Sequence, residues 1–574
     1  MIVNTETPVE MYRIKVSELQ GKLAKKATET PEHRFNNLYD LLTWEPMMTW
    51  AFDCLMTKRG SRTAGIDGMD NRTAIKNRER ILFDLKTALK SKTFKASPVR
   101  RVHILKSNGK RRPLGIPTLT DRLVQLMVKA ILDPIFESDF YPNSHGFRPK
   151  RSCHTAMAHL HQMIAPKQKK MYWVIEGDIV GCFDHIQHQT LIRLLRRRIQ
   201  DKKLLGLIWQ MLKAGVMEGE LFKKSPEGTP QGGIVSPLLA NIYLHEIDKW
   251  IDERYTGLNY TEKTRRRRRK EGNAFYVRYA DDFVIAWNGT KEGATQLKAE
   301  LKSFLGETLG LEMSDEKTHI THITEGFDFL GFTVKRDIDV RRGYNELRFY
   351  PSKKSVMKLK TKIKAMTMRG TTQASAKDRI TALNSLLHGW ANYYRHSAAS
   401  RTFSYVGSYA FKRMELWLRK KTRLRVRAVY RKFYRRNRWL TWFSDGAFLY
   451  NTGLTAIQYK RYAHRPNPYL DHEQSLGLPY HLDPFGGKDW DGTNSRYGEE
   501  WSQKREEVRL RDGFRCSLCG SSDRIEVHHL RKYKGNMEHN LDSMMTLCAS
   551  CHRKVRNPRS EASRIIARRF LRAG

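Results

Sequence analysis

The stretch Phe275-Tyr276-Val277-Arg278-Tyr279-Ala280-Asp281-Asp282-Phe283-Val284-Ile285-Ala286-Trp287 decides how this chain is read. Runs rich in β-branched and aromatic residues flank two adjacent carboxylates, which predicts a β-hairpin with the acidic pair at its turn. Carboxylates fixed side by side repel each other, and a divalent cation relieves that repulsion. An ordinary solvated Asp-Asp turn is the bland alternative, and the rest of the chain removes it.

Upstream, Val174-Ile175-Glu176-Gly177-Asp178-Ile179-Val180-Gly181-Cys182-Phe183-Asp184-His185-Ile186 reads as an apolar strand ending in an acidic residue, then a turn, then an aromatic. Asp178 at a strand end can face Asp281 and Asp282 across a sheet. Three carboxylates meeting there would hold two Mg²⁺ ions, which can activate a 3′-hydroxyl, orient a triphosphate and stabilise a leaving pyrophosphate. Between these segments lies Gly228-Thr229-Pro230-Gln231-Gly232-Gly233-Ile234-Val235-Ser236-Pro237-Leu238-Leu239-Ala240-Asn241. Its glycines let backbone approach a ligand closely, and the apolar run after Pro237 predicts a helix.

The 574 residues carry 105 Lys and Arg against 60 Asp and Glu, a net charge of +45. The length implies several domains. The charge implies a polyanionic partner, RNA or DNA, with a basic membrane-surface protein as the competing class. No run of 18 apolar residues and no signal segment is present, so a soluble intracellular protein with no membrane partner is expected. The charge is also patterned. Arg265 to Arg269 with Lys270 form a basic run just before the hairpin, expected to contact an RNA backbone. Residues 401–440 hold fourteen Lys or Arg against one acid, Glu415, interleaved with Trp417, Tyr430, Phe433, Tyr434 and Trp439. That mixture suits phosphate contact with base stacking; the bland alternative is an exposed basic helix.

Cys54, Cys153 and Cys182 are scattered and expected as reduced, small hydrophobes. Cys516, Cys519, Cys548 and Cys551 form two CxxC pairs, which predicts a structural Zn²⁺ site rather than disulfides. Residues 1–60 read as helical and polar. Apolar positions 356, 359 and 363 share one helix face opposite lysines. Residues 466–498, rich in Pro, Gly, Asp and Asn, read as a linker.

The order D-x(4)-F, TPQGG-x-x-SPLL and YADD resembles the reverse-transcriptase palm, and more narrowly a group II intron-encoded reverse transcriptase and maturase. Ala64-Gly65-Ile66-Asp67-Gly68 resembles that family's N-terminal extension, and Lys106 to Pro117 its fingers. His145-Gly146-Phe147-Arg148-Pro149 follows. Leu311 to Thr318 and Phe327 to Phe332 resemble the last palm blocks, and Leu387-His388-Gly389-Trp390-Ala391-Asn392-Tyr393-Tyr394-Arg395 the maturase thumb. Near the C-terminus, Glu526-Val527-His528-His529-Leu530, Asn540 and Cys551-His552 resemble the HNH endonuclease. A zinc ribbon that only binds nucleic acid is the alternative there.

The resemblance implies an α+β multidomain chain. Residues 1–345 would form fingers and palm with the extension, 346–435 a helical thumb or maturase domain, 436–500 a DNA-binding region and linker, and 501–574 a ββα-metal nuclease. It implies Asp178 and Asp281 as principal Mg²⁺ ligands, supported by the Ile179 carbonyl and Asp282. Lys106 and Arg112 would contact the triphosphate, Gln231 the incoming nucleotide, and Phe183 would be the steric gate against a 2′-hydroxyl. In the nuclease, His528 and His552 would ligate a catalytic divalent cation, His529 would be the general base, and Asn540 or the adjacent His539 would support it. The implied partners are the parent intron RNA, target DNA and deoxynucleoside triphosphates, in the bacterial cytoplasm or an organelle. A homing endonuclease or an RNA-binding splicing factor with a non-functional polymerase are the rival readings, and primer extension separates them.

Overall fold

The computed structural model describes residues 8–105, 109, 111–166, 170–218, 221–223, 227–229, 232–339, 344–436, 440–460, 462, 467–470, 508, 511–512, 516–521, 525–529, 544–548 and 551. They belong to two units, Met1–Phe485 and Gly486–Gly574.

In the first unit, the alternation of the hairpin residues is resolved into two faces of one sheet. Strands Ala274–Tyr279, Asp282–Trp287, Trp173–Gly177 and His319–His322 lie side by side in that order, all antiparallel. Ile175, Tyr276, Phe283 and Ile285 point to one layer, formed by helices Leu119–Glu137, Ser236–Ile251 and Lys291–Leu309. Val174, Phe275, Val277, Val284 and Ala286 point to the other, against helix Cys153–Ile164 and strands Phe327–Phe329 and Phe332–Asp339. A sheet buried on both faces explains why the hairpin is apolar nearly throughout and not strictly alternating. The helix after Pro237 forms as expected, with the proline in its first turn.

Two further sheets flank this centre. Phe327–Phe329, Phe332–Asp339 and Tyr344–Pro351 form an antiparallel meander. Its first turn, Leu330-Gly331, has φ of 50° and 81°, the left-handed pair that a two-residue hairpin favours. Val99–Leu105 pairs antiparallel with Arg111–Ile116 and parallel with Val216–Glu218.

The N-terminal region is helical but less polar than its sequence suggests. Helix Glu45–Met56 buries Met47, Met48, Trp50, Ala51, Phe52 and Leu55. Helices Lys353–Met366, Ala376–Tyr394 and Ser400–Thr422 share a separate core. Leu359 and Ile363 are buried in it as the periodicity predicts, with Val356 packed at its edge.

The expectation of base-stacking aromatics in residues 401–440 is corrected here. Trp417 and Phe433 are buried, and Tyr430 and Tyr434 pack around the buried Trp442. Their rings build the core, while Arg419, Lys420, Arg423, Arg425, Arg427, Arg431 and Lys432 remain exposed. Trp439 lies outside the described residues. The expected linker also begins differently. The Tyr469 hydroxyl donates to Asp133 at 3.1 Å and the Asn467 amide to Ser138 at 2.9 Å, so 467–470 pack against helix Leu119–Glu137 and its end within the first unit. Residues 471–498 lie outside the described residues.

In the second unit, strands Ile525–His529 and Met544–Cys548 pair antiparallel. The helix that a ββα core requires would fall beyond Cys551, outside the described residues. Among the described residues, no helix of either unit is long and apolar enough to cross a membrane.

Candidate active site

Sheet register brings the acidic residues together. Gly177 pairs with Phe283, so Asp178, just past the strand end, stands beside Asp282 on the neighbouring strand. Tyr279 pairs with Asp282, leaving Ala280 and Asp281 as the two turn residues. The acidic pair is therefore split: Asp281 lies in the turn and Asp282 begins the return strand. Crowding by the surrounding protein, then the like charges of Asp281 and Asp178, push the Asp282 carboxyl up to about 7 although its surface remains exposed. The Lys317 ammonium donates to Asp178 at 2.5 Å. One cation thus offsets part of the cluster's charge, and hard carboxylate oxygens are the donor set that Mg²⁺ prefers.

The turn is clamped from beneath. Arg278 is fully buried, and its guanidinium meets the Asp248 carboxylate at 2.9 and 2.6 Å. The same guanidinium donates to the Ala280 carbonyl and to Asn241, each at 3.1 Å. Asn241 in turn donates to the Gly146 carbonyl at 2.7 Å. A Cβ on Gly146 would stand 2.3 Å from the Ala280 nitrogen, so only glycine lets that loop lie against the turn. Ala280 itself has φ of 59°, a left-handed value that this packing enforces.

Ile179 is buried and bridges to Met313, while Ser314 N–H donates to the Asp178 carbonyl at 2.9 Å. The half-buried Phe183 ring meets Phe147 edge-on at 6.3 Å. The Thr229 N–H donates to the Phe183 carbonyl at 2.7 Å, drawing the glycine-rich loop to this turn. A Cβ on Gly232 would lie 2.3 Å from the Gly115 carbonyl oxygen, and Gln125 accepts from Ile234 N–H at 2.7 Å. Arg112 lies on strand Arg111–Ile116; Lys106 and Gln231 fall outside the described residues.

Helix Ala376–Tyr394 reaches the same neighbourhood. The Tyr393 hydroxyl donates to the Leu330 carbonyl at 2.9 Å and that of Tyr394 to the Gly331 carbonyl at 3.1 Å. Both hydroxyls therefore cap the Leu330-Gly331 turn, in a cluster that also packs Tyr279.

In the second unit, the sulfurs of Cys516, Cys519, Cys548 and Cys551 all lie within 4.8 Å of one another. Cys519 and Cys548 sulfurs are 3.7 Å apart. A tetrahedral Zn²⁺ about 2.3 Å from each sulfur sets S···S near ~3.8 Å, so the cluster can hold one. His528 and His529 occupy strand Ile525–His529, whereas His539, Asn540 and His552 lie outside the described residues.

Three families match the chain in order. Residues 104–334 match reverse transcriptase (RNA-dependent DNA polymerase), 356–439 the group II intron maturase-specific domain, and 516–557 the HNH endonuclease. The group II intron-encoded protein LtrA of Lactococcus lactis subsp. cremoris is 32% identical, over 93% of this chain and 98% of its own. This chain is a group II intron-encoded protein. Protein YkfC of Escherichia coli (strain K12) is 38% identical over 58% of the chain and 91% of its own length. An uncharacterized 91 kDa protein in the cob intron of Schizosaccharomyces pombe is 28% identical, over 90% of the chain and 69% of its own. The intron-encoded protein is thus multifunctional, combining an RNA-directed DNA polymerase, a maturase and an HNH endonuclease.

Arg278, Lys317 and Phe147 join the acidic turn and its surroundings without being singled out by the sequence motifs. The signal for the first was a lone arginine in an otherwise apolar strand, which burial permits only with a paired acid.

Proposed function

We propose that Asp178, Asp281 and Asp282 form the polymerase centre of a right-hand architecture. The four-stranded sheet would be the palm, the Val99–Leu105 sheet the fingers, and the helices from Lys353 the thumb and maturase domain. The observation that carries this is the register setting Asp178 beside Asp282, with Asp281 in the adjoining turn. Asp178 and Asp281 are the principal ligands of two Mg²⁺, with the Ile179 carbonyl and Asp282 in support. Bound there, Mg²⁺ supplies activation of the primer 3′-hydroxyl and neutralisation of the pyrophosphate. Lys317 releases Asp178 when the cations bind. Lys106 and Arg112 hold the triphosphate and Gln231 the nucleotide. Phe183, braced by Phe147, crowds the sugar C2′ position and selects deoxynucleotides.

The same chain binds its parent intron RNA as a ribonucleoprotein, assists its splicing, and cuts target DNA for intron mobility in the cytoplasm or an organelle. Residues 1–345 serve polymerisation, 346–435 splicing, 436–500 DNA binding and linkage, and 501–574 cleavage. In the nuclease, His528 and His552 ligate a divalent cation and His529 activates water, supported by Asn540 or His539. Cys516, Cys519, Cys548 and Cys551 hold a structural Zn²⁺.

The test is primer extension by Asp281→Asn, a substitution that keeps the shape and removes the charge. DNA synthesis should vanish while intron RNA affinity and splicing assistance persist. Equal loss of splicing in folded protein would show that the two activities share one site.

A further inference from the structure

We infer that the cavity walled by Lys170, Arg267, Arg268 and Lys270 is a phosphate-binding site for RNA held apart from the polymerase carboxylates. This rests on the reading that the chain binds intron RNA, and it names where one contact is made.

The basic run does not act as one patch. Arg265 pairs with Glu262 at 2.7 Å, and Arg269 approaches Glu271 at 3.8 Å. Arg266 donates to the Gly272 carbonyl at 3.0 Å and lies 5.2 Å over the Tyr255 ring. Those three anchor helix Tyr260–Arg268 and its exit. Arg267, Arg268 and Lys270 remain, and among the described residues none has an acidic partner. With Lys170 they line a cavity of about 460 Å³ that also includes Thr264 and Thr290. Arg267 donates to the Thr264 hydroxyl at 3.1 Å.

Unpaired cations gathered around a concavity repel one another, and an anion filling it removes that cost. The helix is held in place regardless. The Lys263 ammonium donates to the Thr256 carbonyl at 2.7 Å and the Asn273 amide to the Lys263 carbonyl at 3.0 Å. Gly272 must lie flat on Trp287, since a Cβ there would stand 2.3 Å from the ring. The cavity is therefore presented by a fixed scaffold.

Its position sets it apart from the carboxylates. It opens where strands Trp173–Gly177 and Ala274–Tyr279 begin and Asp282–Trp287 ends. The carboxylates lie at the opposite strand ends. A strand of that length spans roughly 20 Å, about three nucleotides of extended backbone beyond reach of the primer terminus. A phosphate bound there is therefore not the one that reacts, and we assign it to the intron RNA, with the template–primer as the alternative that the experiment separates.

The experiment uses the full chain carrying Arg267→Gln, Arg268→Gln and Lys270→Gln together. The probe is the transcript of the DNA segment that carries this reading frame, with poly(rA)/oligo(dT) for primer extension. Affinity for the transcript should fall tenfold or more at 0.15 M salt. The slope of log affinity against log salt should flatten by about 2, given roughly 0.7 per lost phosphate contact. The KM for poly(rA)/oligo(dT) and the melting temperature should not change. Arg265→Gln with Arg269→Gln, removing cations outside the cavity, should flatten the slope by less than 1. Flattening in proportion to the charges removed, about 1.4 for the double variant, would reduce the effect to net charge and overturn the site. A raised KM for template–primer, or a loss confined to duplex DNA, would assign the cavity to another strand and overturn it too. A flat slope in the wild-type protein would instead bring down the underlying RNA-binding reading.

Discussion

The acidic cluster and the cysteine cluster are built by opposite means. Asp178, Asp281 and Asp282 sit on the rim of a core made by other residues, on strands buried on both faces. Among the described residues of the second unit, Cys516, Cys548 and Cys551 are themselves part of a buried cluster, with Met545 and Leu547 beside them and Leu518 packed at the edge, while Val508 and Met544 form another. In the first case the fold places the carboxylates. In the second, a Zn²⁺ held by the four sulfurs would itself tie separate stretches of chain to one point, so that binding the ion and folding would be coupled.

Metal removal should therefore divide the molecule, and this is the largest effect expected. Cys548→Ser, or extraction of zinc with a thiol-directed chelator, should abolish DNA cleavage and the folded state of Gly486–Gly574. Primer extension with Mg²⁺ restored should stay within about twofold. Zinc content measured beside nicking and extension checks it. A variant that loses zinc but keeps the protease resistance of its C-terminal unit would break the comparison.

A second test probes the scaffold of the acidic turn. Arg278 and Asp248 are a buried, two-point ion pair, so Arg278→Ala strands a carboxylate in the core. The cost should be about 3–5 kcal/mol to the first unit, read by denaturant unfolding. The conservative Arg278→Lys keeps the charge but has no fork to reach both Asp248 and the Ala280 carbonyl. It should lower the extension rate more than it lowers stability. A rate that merely tracks stability would show that the clamp is only packing.

The smallest effect concerns the cation already at the site. Lys317 is two-thirds exposed and its pairing with Asp178 is screened by solvent. Lys317→Ala should therefore alter extension by no more than about fivefold, and should lower the Mg²⁺ concentration needed for half-maximal rate. A higher requirement would mean that Lys317 contacts substrate rather than competing with the cation.

The hairpin, the strand before Asp178 and the helix after Pro237 were legible because β-branched runs, turn residues and a proline each specify local geometry. The cysteine cluster was legible because its spacing is chemical. The clamp was not, since Asp248 lies thirty residues before Arg278 and is hidden within an apolar helix. Trp417 was misread for a different reason. Composition weighs a ring without saying which way it faces. The spacing Val406, Ala410, Met414 and Trp417 traces one helix face, and that face is buried. Adjacent letters make Asp281 and Asp282 one unit at a turn, whereas the strand register gives them separate places.

The two tyrosine hydroxyls that cap the Leu330-Gly331 turn bear on how this protein can be dissected. A fragment ending after Tyr344–Pro351 would keep every polymerase strand and still expose two carbonyls and the aromatic surface on which Phe332 and Tyr279 pack. The smallest expressible polymerase should thus extend through Tyr394. The stretches that match the reverse transcriptase and the maturase-specific domain share a seam, and no clean cut runs along it.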